Sequence, residues 1–139
     1  MKALLAVIAL VLTGCASQSQ FGTYAEIAPG YRDLIAIDAA NQFAAIYPPA
    51  STSLLMAIEP DDEFGRAFVS RLRLLGFSVQ EAPSDVVPAQ ALRVGYVLDS
   101  LSSNAYRLLI SAGSSSLSRA YLKVGNTFTP GGLWARREG

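Results

Sequence analysis

The stretch that decides the fold is residues 60–77, PDDEFGRAFVSRLRLLGF. Its large apolar side chains recur at the spacing of one helix face. They are Phe64, Phe68, Leu72 and Leu75. The pattern predicts an amphipathic helix that buries this face in a core.

Both ends of this helix are marked in the sequence. Asp61 or Asp62 is predicted to be the N-cap, because a carboxylate accepts hydrogen bonds from the free N–H groups of the first turn. Arg71 and Arg73 lie near the last turn, where positive charge interacts favourably with the helix dipole. Gly76 follows at the position where helices commonly end in a left-handed conformation.

The segment before this helix predicts a second helix and a strand. Residues 33–47, DLIAIDAANQFAAIY, begin with Asp33 as a candidate N-cap, and Pro48-Pro49 ends the helix. The predicted buried stripe consists of Leu34, Ile37, Ala40, Ala44 and Tyr47. Residues 53–58, SLLMAI, are a short apolar run that is typical of a buried strand.

From residue 77 onward the apolar period changes to two, as in strands. Residues 77–81 begin one strand, and three longer alternating runs follow. Those runs are ALRVGYVLDSL (91–101), NAYRLLISAG (104–113) and LSRAYLKVGN (117–126). Short polar turns separate them, which is typical of an antiparallel meander. The predicted fold class is therefore α+β, with two helices packed on one face of a mainly antiparallel sheet of about five strands.

The alternation also assigns each strand residue to one side of the sheet. On the last run, Ala120, Leu122 and Val124 are predicted to face the helices. The opposite face is predicted to carry Arg93, Arg107, Arg119, Tyr121 and Lys123. A solvated face is the default for such charge, and contact with lipid head groups or an acidic partner is the alternative.

The start of the chain has the pattern of a secretory signal peptide. Lys2 is followed by ALLAVIALVL at 3–12, an apolar run about half as long as a bilayer span. The next residues resemble the lipobox of bacterial lipoproteins, in which cleavage falls just before the cysteine. The lipobox residues are Leu12, Thr13, Gly14 and Cys15.

This resemblance implies that residues 1–14 are removed and that Cys15 carries a diacylglyceryl thioether and an acylated amine. Two or three acyl chains anchor a protein firmly, at about 0.8 kcal/mol per buried CH₂. Ala16, rather than Asp, follows the cysteine, which by analogy with lipoprotein sorting favours the outer membrane. No other stretch of the sequence is long and apolar enough to span a bilayer.

The rest of the chain is predicted to have three parts. Residues 15–32 form a lipid-anchored tether, residues 33–126 an α+β periplasmic domain, and residues 127–139 a C-terminal tail. The small, polar composition of the tether favours a loose segment, although its apolar residues could instead dock on the domain or on a partner. Those residues are Phe21, Tyr24 and Ile27.

The tail, TFTPGGLWARREG, allows two interpretations that the sequence leaves open. Trp134 either packs back onto the sheet or anchors a docking segment for another protein, since Trp and Arg are common anchors at interfaces. The candidate contacts to a partner are Leu133, Trp134, Arg136, Arg119 and Tyr121.

Composition argues against most catalytic and metal chemistry. The chain of 139 residues contains no His, and its single cysteine is the one in the lipobox. Ser-His-Asp and Cys-His catalysis and most zinc sites are therefore excluded. Helix capping accounts for the carboxylates at 61–63, and a turn accounts for the serines at 114–116.

The formal net charge of zero gives no indication of direct nucleic-acid binding. We predict no enzyme, no metal and no cofactor beyond the acyl modification.

Several stretches in order resemble the TrbH family of conjugal transfer lipoproteins. They are LTGC, DAANQFAAIYPPAST, EFGRAFVSRLRLLGFSV, ALRVGYVLDSL, YRLLIS, LSRAY and TPGGLWARREG. The resemblance implies an outer-membrane lipoprotein that helps to assemble a type IV secretion (mating-pair formation) apparatus for plasmid DNA transfer. The implied partners are outer-membrane and periplasmic subunits of its channel, with a ring oligomer as one possible arrangement.

A partner could add a strand to the edge of the short meander, because an edge strand has unpaired backbone groups. The alternative function is a general envelope lipoprotein that regulates or assembles another cell-envelope complex with the same anchor and fold.

Overall fold

The computed structural model describes residues 20–81 and 90–139. The predicted signal peptide and the lipobox, including Leu12, Thr13, Gly14 and Cys15, lie outside the described residues.

Two helices, one short 3₁₀ turn and eight strands make up the described chain. In order they are β1 Gly22–Thr23, α1 Pro29–Ile46, the 3₁₀ turn Pro49–Ser51, β2 Ser53–Met56, α2 Glu63–Leu74, β3 Ser78–Gln80, β4 Leu92–Ser102, β5 Ala105–Ala112, β6 Ser115–Val124, β7 Thr127–Pro130 and β8 Ala135–Arg137.

The eight strands form a single mixed sheet that curls into a half-barrel. Its order is β3-β2-β4-β5-β6-β7, with β1 beside β4 and β8 beside β6. The pairs β2–β3, β2–β4 and β1–β4 are parallel, and the pairs from β4 to β8 are antiparallel. The prediction of a mainly antiparallel sheet of about five strands was therefore wrong.

The error has two physical causes. The chain passes from β2 through α2 to β3, and such a helical crossover joins parallel neighbours. The three additional strands come from the predicted tether and tail. They are two to four residues long, too short to show an alternating pattern in the sequence.

Helix α2 confirms the prediction from residues 60–77 in detail. The Asp62 carboxylate accepts a hydrogen bond from the backbone N–H of Gly65 at 2.8 Å, which makes Asp62 the N-cap. Phe64, Phe68 and Leu72 are fully buried, and Gly76 has the predicted positive φ of 104°.

Helix α1 differs from the prediction in its start and in its buried side. It begins at Pro29 with Ala28 as the N-cap, so Asp33 is not a cap. The buried residues are Ile35, Ala36, Ala39, Ala40 and Phe43. The predicted stripe residues Leu34 and Ile37 are exposed. Apolar residues occur all round this helix, so periodicity alone could not choose its buried face.

Strand β6 faces the opposite way from the prediction. Tyr121 is buried on the helix side, while Leu122 and Val124 are exposed. Tyr121 lies opposite Tyr106 of β5, and cross-strand partners share a face. The predicted faces of β4 and β5 are confirmed, because Val94, Tyr96, Leu98, Leu108 and Ile110 are all buried.

The Asp62 carboxylate joins three elements of the fold. One oxygen accepts the Gly65 N–H and also the Thr23 hydroxyl of β1 at 2.8 Å. The other oxygen accepts the hydroxyl of Tyr96, a fully buried residue of β4. A Cβ at Gly65 would overlap this Tyr96 hydroxyl, so the helix can approach the strand only with glycine at this position.

Replacement of Asp62 should destabilise the domain strongly. Asp62→Ala removes the cap, worth about 1 kcal/mol, and leaves the Tyr96 hydroxyl buried without an acceptor, which costs about 1–3 kcal/mol more. We expect a total loss of about 2–4 kcal/mol in the free energy of unfolding, measured by urea denaturation. The exposed neighbour Asp61 provides the control, since Asp61→Ala should change stability by no more than about 0.5 kcal/mol. Equal effects of the two changes would contradict this account.

Candidate docking site

The C-terminal segment, residues 127–139, covers the outer edge of strand β6. Strand β7 pairs with residues 121–124 of β6, and β8 pairs with residues 116–118. The predicted boundary between the α+β domain and the C-terminal tail, after residue 126, therefore lies between two strands of the same sheet. The edge predicted to accept a partner strand is occupied by the chain's own backbone, because both short strands use the hydrogen-bonding groups of β6.

Arg119 fixes this segment to helix α1. Its guanidinium donates from Nη1 to both carboxylate oxygens of Asp38, at 3.1 and 2.9 Å, and from Nε to the carbonyl of Gly132 at 2.8 Å. Its Cζ also lies 5.7 Å from the centre of the Trp134 ring, within the range of a cation–π contact. The Tyr121 hydroxyl donates to the same Asp38 carboxylate at 2.6 Å.

These contacts decide between the two interpretations of Trp134. The indole is half-buried against the core, and its N–H is buried with no hydrogen-bond partner among the residues that the structure describes. Trp134 thus packs back onto the sheet. Arg119 contacts its ring, and both Arg119 and Tyr121 are bound to Asp38, so these two residues are engaged within the domain.

The remaining candidate contacts do face solvent. Leu133 is 90% exposed and follows the bend at residues 130–132. It borders a shallow groove of about 300 Å³ whose lining also includes Leu101, Arg107 and Ala120. Arg136 is half-exposed and pairs with Glu138 at 2.6 Å. Leu133 is therefore the candidate that the structure presents most openly to a partner.

An aromatic cluster fixes the start of the C-terminal segment. The Phe128 ring stacks on Tyr31 of α1, with ring centres 4.7 Å apart, and on Tyr121 at 5.9 Å. Tyr31 also donates its hydroxyl to the carbonyl of Asn126 at 3.0 Å. Contacts of this type hold the β6–β7 hairpin against the helix.

The N-terminal segment, residues 20–28, is also held by the sheet. Strand β1 pairs with Val97 and Leu98, and the Tyr24 N–H donates to the carbonyl of Leu98 at 2.7 Å. The Phe21 ring lies against Gly95, where any side chain would collide with it. From residue 20 onward the segment therefore docks on the domain, which is one of the alternatives that the sequence left open.

Sequence reasoning missed the residues that hold both terminal segments. Asp38 interrupts the apolar run at residues 34–40 of α1, and a carboxylate in such a position indicates a specific partner. Gly95 lies inside a strand, which often indicates a close approach by another group. Both signals are present in the sequence, but neither identifies the partner residue.

No group of three or more acidic, histidine or cysteine side chains within residues 20–81 and 90–139 is placed to hold a metal ion. None of the helices in this part of the chain is long and apolar enough to cross a membrane.

A comparison with protein-family models matches residues 15–138 to the conjugal transfer protein TrbH. The chain belongs to the TrbH family. The resemblance inferred from the ordered stretches is thereby confirmed, and membership implies a role within a conjugal transfer complex. This family is a structural or accessory one that is not known to be enzymatic. A search of curated proteins gave no match.

Loss of Arg119 should release the end of the chain. Trp134 is the sole tryptophan, so its emission reports on the C-terminal segment directly. We expect Arg119→Ala to shift this emission to longer wavelength and to lower the free energy of unfolding by about 1–3 kcal/mol, because the Asp38 carboxylate and the Gly132 carbonyl lose a charged partner.

Arg107→Ala is the matched control for this experiment. Arg107 is an exposed arginine of the neighbouring strand, paired with Asp99 at 2.6 Å. An unchanged emission spectrum in Arg119→Ala, or an equal shift in the control, would show that Arg119 does not fix the segment.

Alkaline pH should weaken the two tyrosine–carboxylate contacts. Burial, and then the hydrogen bonds to Asp62 and Asp38, raise the pKa values of Tyr96 and Tyr121 above their ordinary range. The folded state therefore holds these two protons more tightly than the unfolded chain, whose tyrosines titrate near about pH 10. Their contribution to stability is fully present below that pH and is lost as the pH rises above it.

Urea denaturation at about pH 8 and about pH 11 measures this loss. The fall in stability should be smaller in the double variant Tyr96→Phe, Tyr121→Phe, which has no phenols at these positions to titrate. Tyr24→Phe, a change at an exposed tyrosine, is the control and should behave as the wild type. A double variant with the full wild-type fall would contradict the assignment.

Proposed function

We propose that this TrbH-family protein is an outer-membrane lipoprotein. In this proposal it acts as a non-enzymatic structural and assembly component of a conjugative type IV secretion apparatus that transfers plasmid DNA. The observation that carries the proposal is the family match over residues 15–138, taken together with the lipobox at 12–15. The first matched residue is the cysteine at which we predict cleavage and acylation.

The sequence supports a role in binding rather than in catalysis. It contains no histidine, and its single cysteine would be blocked by the proposed thioether. The partners we propose are outer-membrane and periplasmic subunits of the secretion channel, with the membrane bound through the lipid.

The shape of the domain supports a contact through exposed side chains. Both ends of the described chain are held by the sheet, so partner binding does not require a disordered segment to fold first. Leu133 and the adjoining groove are the surface we propose for the partner, because a large apolar residue exposed beside a groove is typical of a protein contact. Strand addition at β6 is not proposed, because that edge is already paired.

Removal of the anchor tests this proposal. We expect Cys15→Ser to remove the protein from the outer-membrane fraction, by release or by mislocalisation, and to lower plasmid transfer in a strain that lacks the wild-type gene. Two or more acyl chains hold a protein at a membrane, and a serine accepts no thioether. Ser17→Ala, a change two residues away, is the control and should fractionate and transfer as the wild type.

Each part of the proposal can fail separately in this experiment. Cys15→Ser protein that remains in the outer membrane would overturn the anchor. Normal transfer in a strain that lacks the gene altogether would overturn the role in conjugation.

A further inference from the structure

The link between the proposed lipid and the folded domain is short. Gln20 is the first described residue, and five peptide units separate it from Cys15. An extended chain advances about 3.3–3.6 Å per residue, so the Cα atoms of these two residues lie no more than about 18 Å apart in any conformation. A domain of about 100 residues has a radius of gyration of about 13 Å and is therefore about 30 Å across. The link is shorter than the domain is wide.

The described chain begins on one particular side of the domain, which we call the helix-free face: the side of the sheet opposite α1 and α2. Gln20 lines a groove of about 580 Å³ with Val97, Leu109 and Arg107. These three residues alternate with the buried residues of β4 and β5, so they point away from the helices. The Phe21 ring lies against Gly95 on the same face.

The contacts of residues 20–24 keep the start of the chain in this position. The Tyr24 hydroxyl donates to the carbonyl of Gln20 at 2.8 Å, and the Thr23 hydroxyl donates to Asp62. Together with the pairing of β1 and β4, these bonds prevent the segment from extending the link. The anchored end of the chain therefore stays beside the helix-free face.

We infer that the helix-free face beside Gln20 rests on the phospholipid surface, in contact with the head groups. This inference rests on the proposed lipid anchor. We call the contact region the anchor-side patch: Phe21, Tyr24, Val97, Leu109 and Arg93. The groove beside Leu133 borders the β6 edge of the same face and lies outside this patch. Among the described surfaces, this patch lies closest to the proposed lipid at Cys15. The two helices lie on the other side of the sheet, farther from the bilayer.

The chemistry of the anchor-side patch suits a bilayer interface. Tyr24 is 63% exposed, and tyrosine is favoured at the boundary between head groups and acyl chains. Val97 and Leu109 are half-buried apolar residues that the helices do not cover.

The charge of the helix-free face also suits anionic lipids. Among the described strand residues, three arginines and one carboxylate lie on the helix-free face. The carboxylate is Asp99, which pairs with Arg107. The arginines are Arg93, Arg107 and Arg137. The surplus of positive charge is attracted to anionic phospholipid head groups.

The acylated protein offers a direct test, because the lipid blocks its one native cysteine and leaves an introduced cysteine as the sole thiol. Full-length mature lipoprotein is placed in vesicles of phosphatidylethanolamine and phosphatidylglycerol. An environment-sensitive fluorophore is attached at Arg93→Cys, an exposed position on the anchor-side patch whose change leaves the contacts of residues 20–24 intact. The matched control carries the fluorophore at Leu74→Cys, an exposed position on α2, across the sheet.

We expect the label at position 93 to shift to shorter wavelength and to lose emission when nitroxide head-group lipids are added, and the label at position 74 to do neither. Equal quenching at the two positions, or stronger quenching at position 74, would overturn the inference. Flotation of the vesicles distinguishes failure of the proposed lipid anchor from failure of the proposed orientation. Protein that does not float with the vesicles refutes the proposed anchor itself, whereas floating protein with equal quenching refutes only the orientation.

Discussion

The carboxylate of Asp62 is the constraint on which the rest of the structure depends. It caps helix α2, accepts the hydroxyl of buried Tyr96 in the central strand β4, and accepts the hydroxyl of Thr23 in the N-terminal strand. Helix, sheet and N-terminal segment thus meet at one side chain. A buried polar network of this kind specifies a single arrangement when all of its members are satisfied.

Asp38 performs the corresponding task for the other end of the chain. It receives Arg119 and Tyr121 from strand β6, and Arg119 in turn holds the C-terminal segment through Gly132 and Trp134. Each helix therefore supplies one carboxylate that binds a tyrosine of the sheet and secures one terminal segment. The consequence for function is that the domain presents fixed surfaces rather than loose ends. A lipid attached at residue 15 would then set the orientation of the domain as well as its location.

Sequence reasoning worked where one periodic pattern dominated. The spacing of Phe64, Phe68 and Leu72 and the acidic cap gave α2 correctly, and alternation gave the buried faces of β4 and β5. It failed on α1, where apolar residues on every side hide the buried face. It also failed on β6, where Arg119 and Tyr121 face inward because Asp38, 81 and 83 residues earlier in the chain, accepts their hydrogen bonds.

The short strands at the two ends of the chain were missed for a related reason. Two to four residues do not make a pattern, and these strands form because β4 and β6 offer unpaired backbone groups. Only the folded sheet shows where those groups lie. The candidate partner contacts Arg119, Tyr121 and Trp134 contact other residues of the domain, and Leu133 is the most exposed residue of the set.

The central proposal is that the protein is a lipid-anchored component of a conjugative apparatus. Its most direct test is purification of the tagged full-length protein from its native envelope in mild detergent, followed by mass spectrometry of the proteins that remain bound, with Cys15→Ser as the control. The account predicts that outer-membrane channel subunits of a conjugation system co-purify with the wild type and are lost in the variant. Recovery of cell-wall enzymes alone, or of no partner at all, would contradict it.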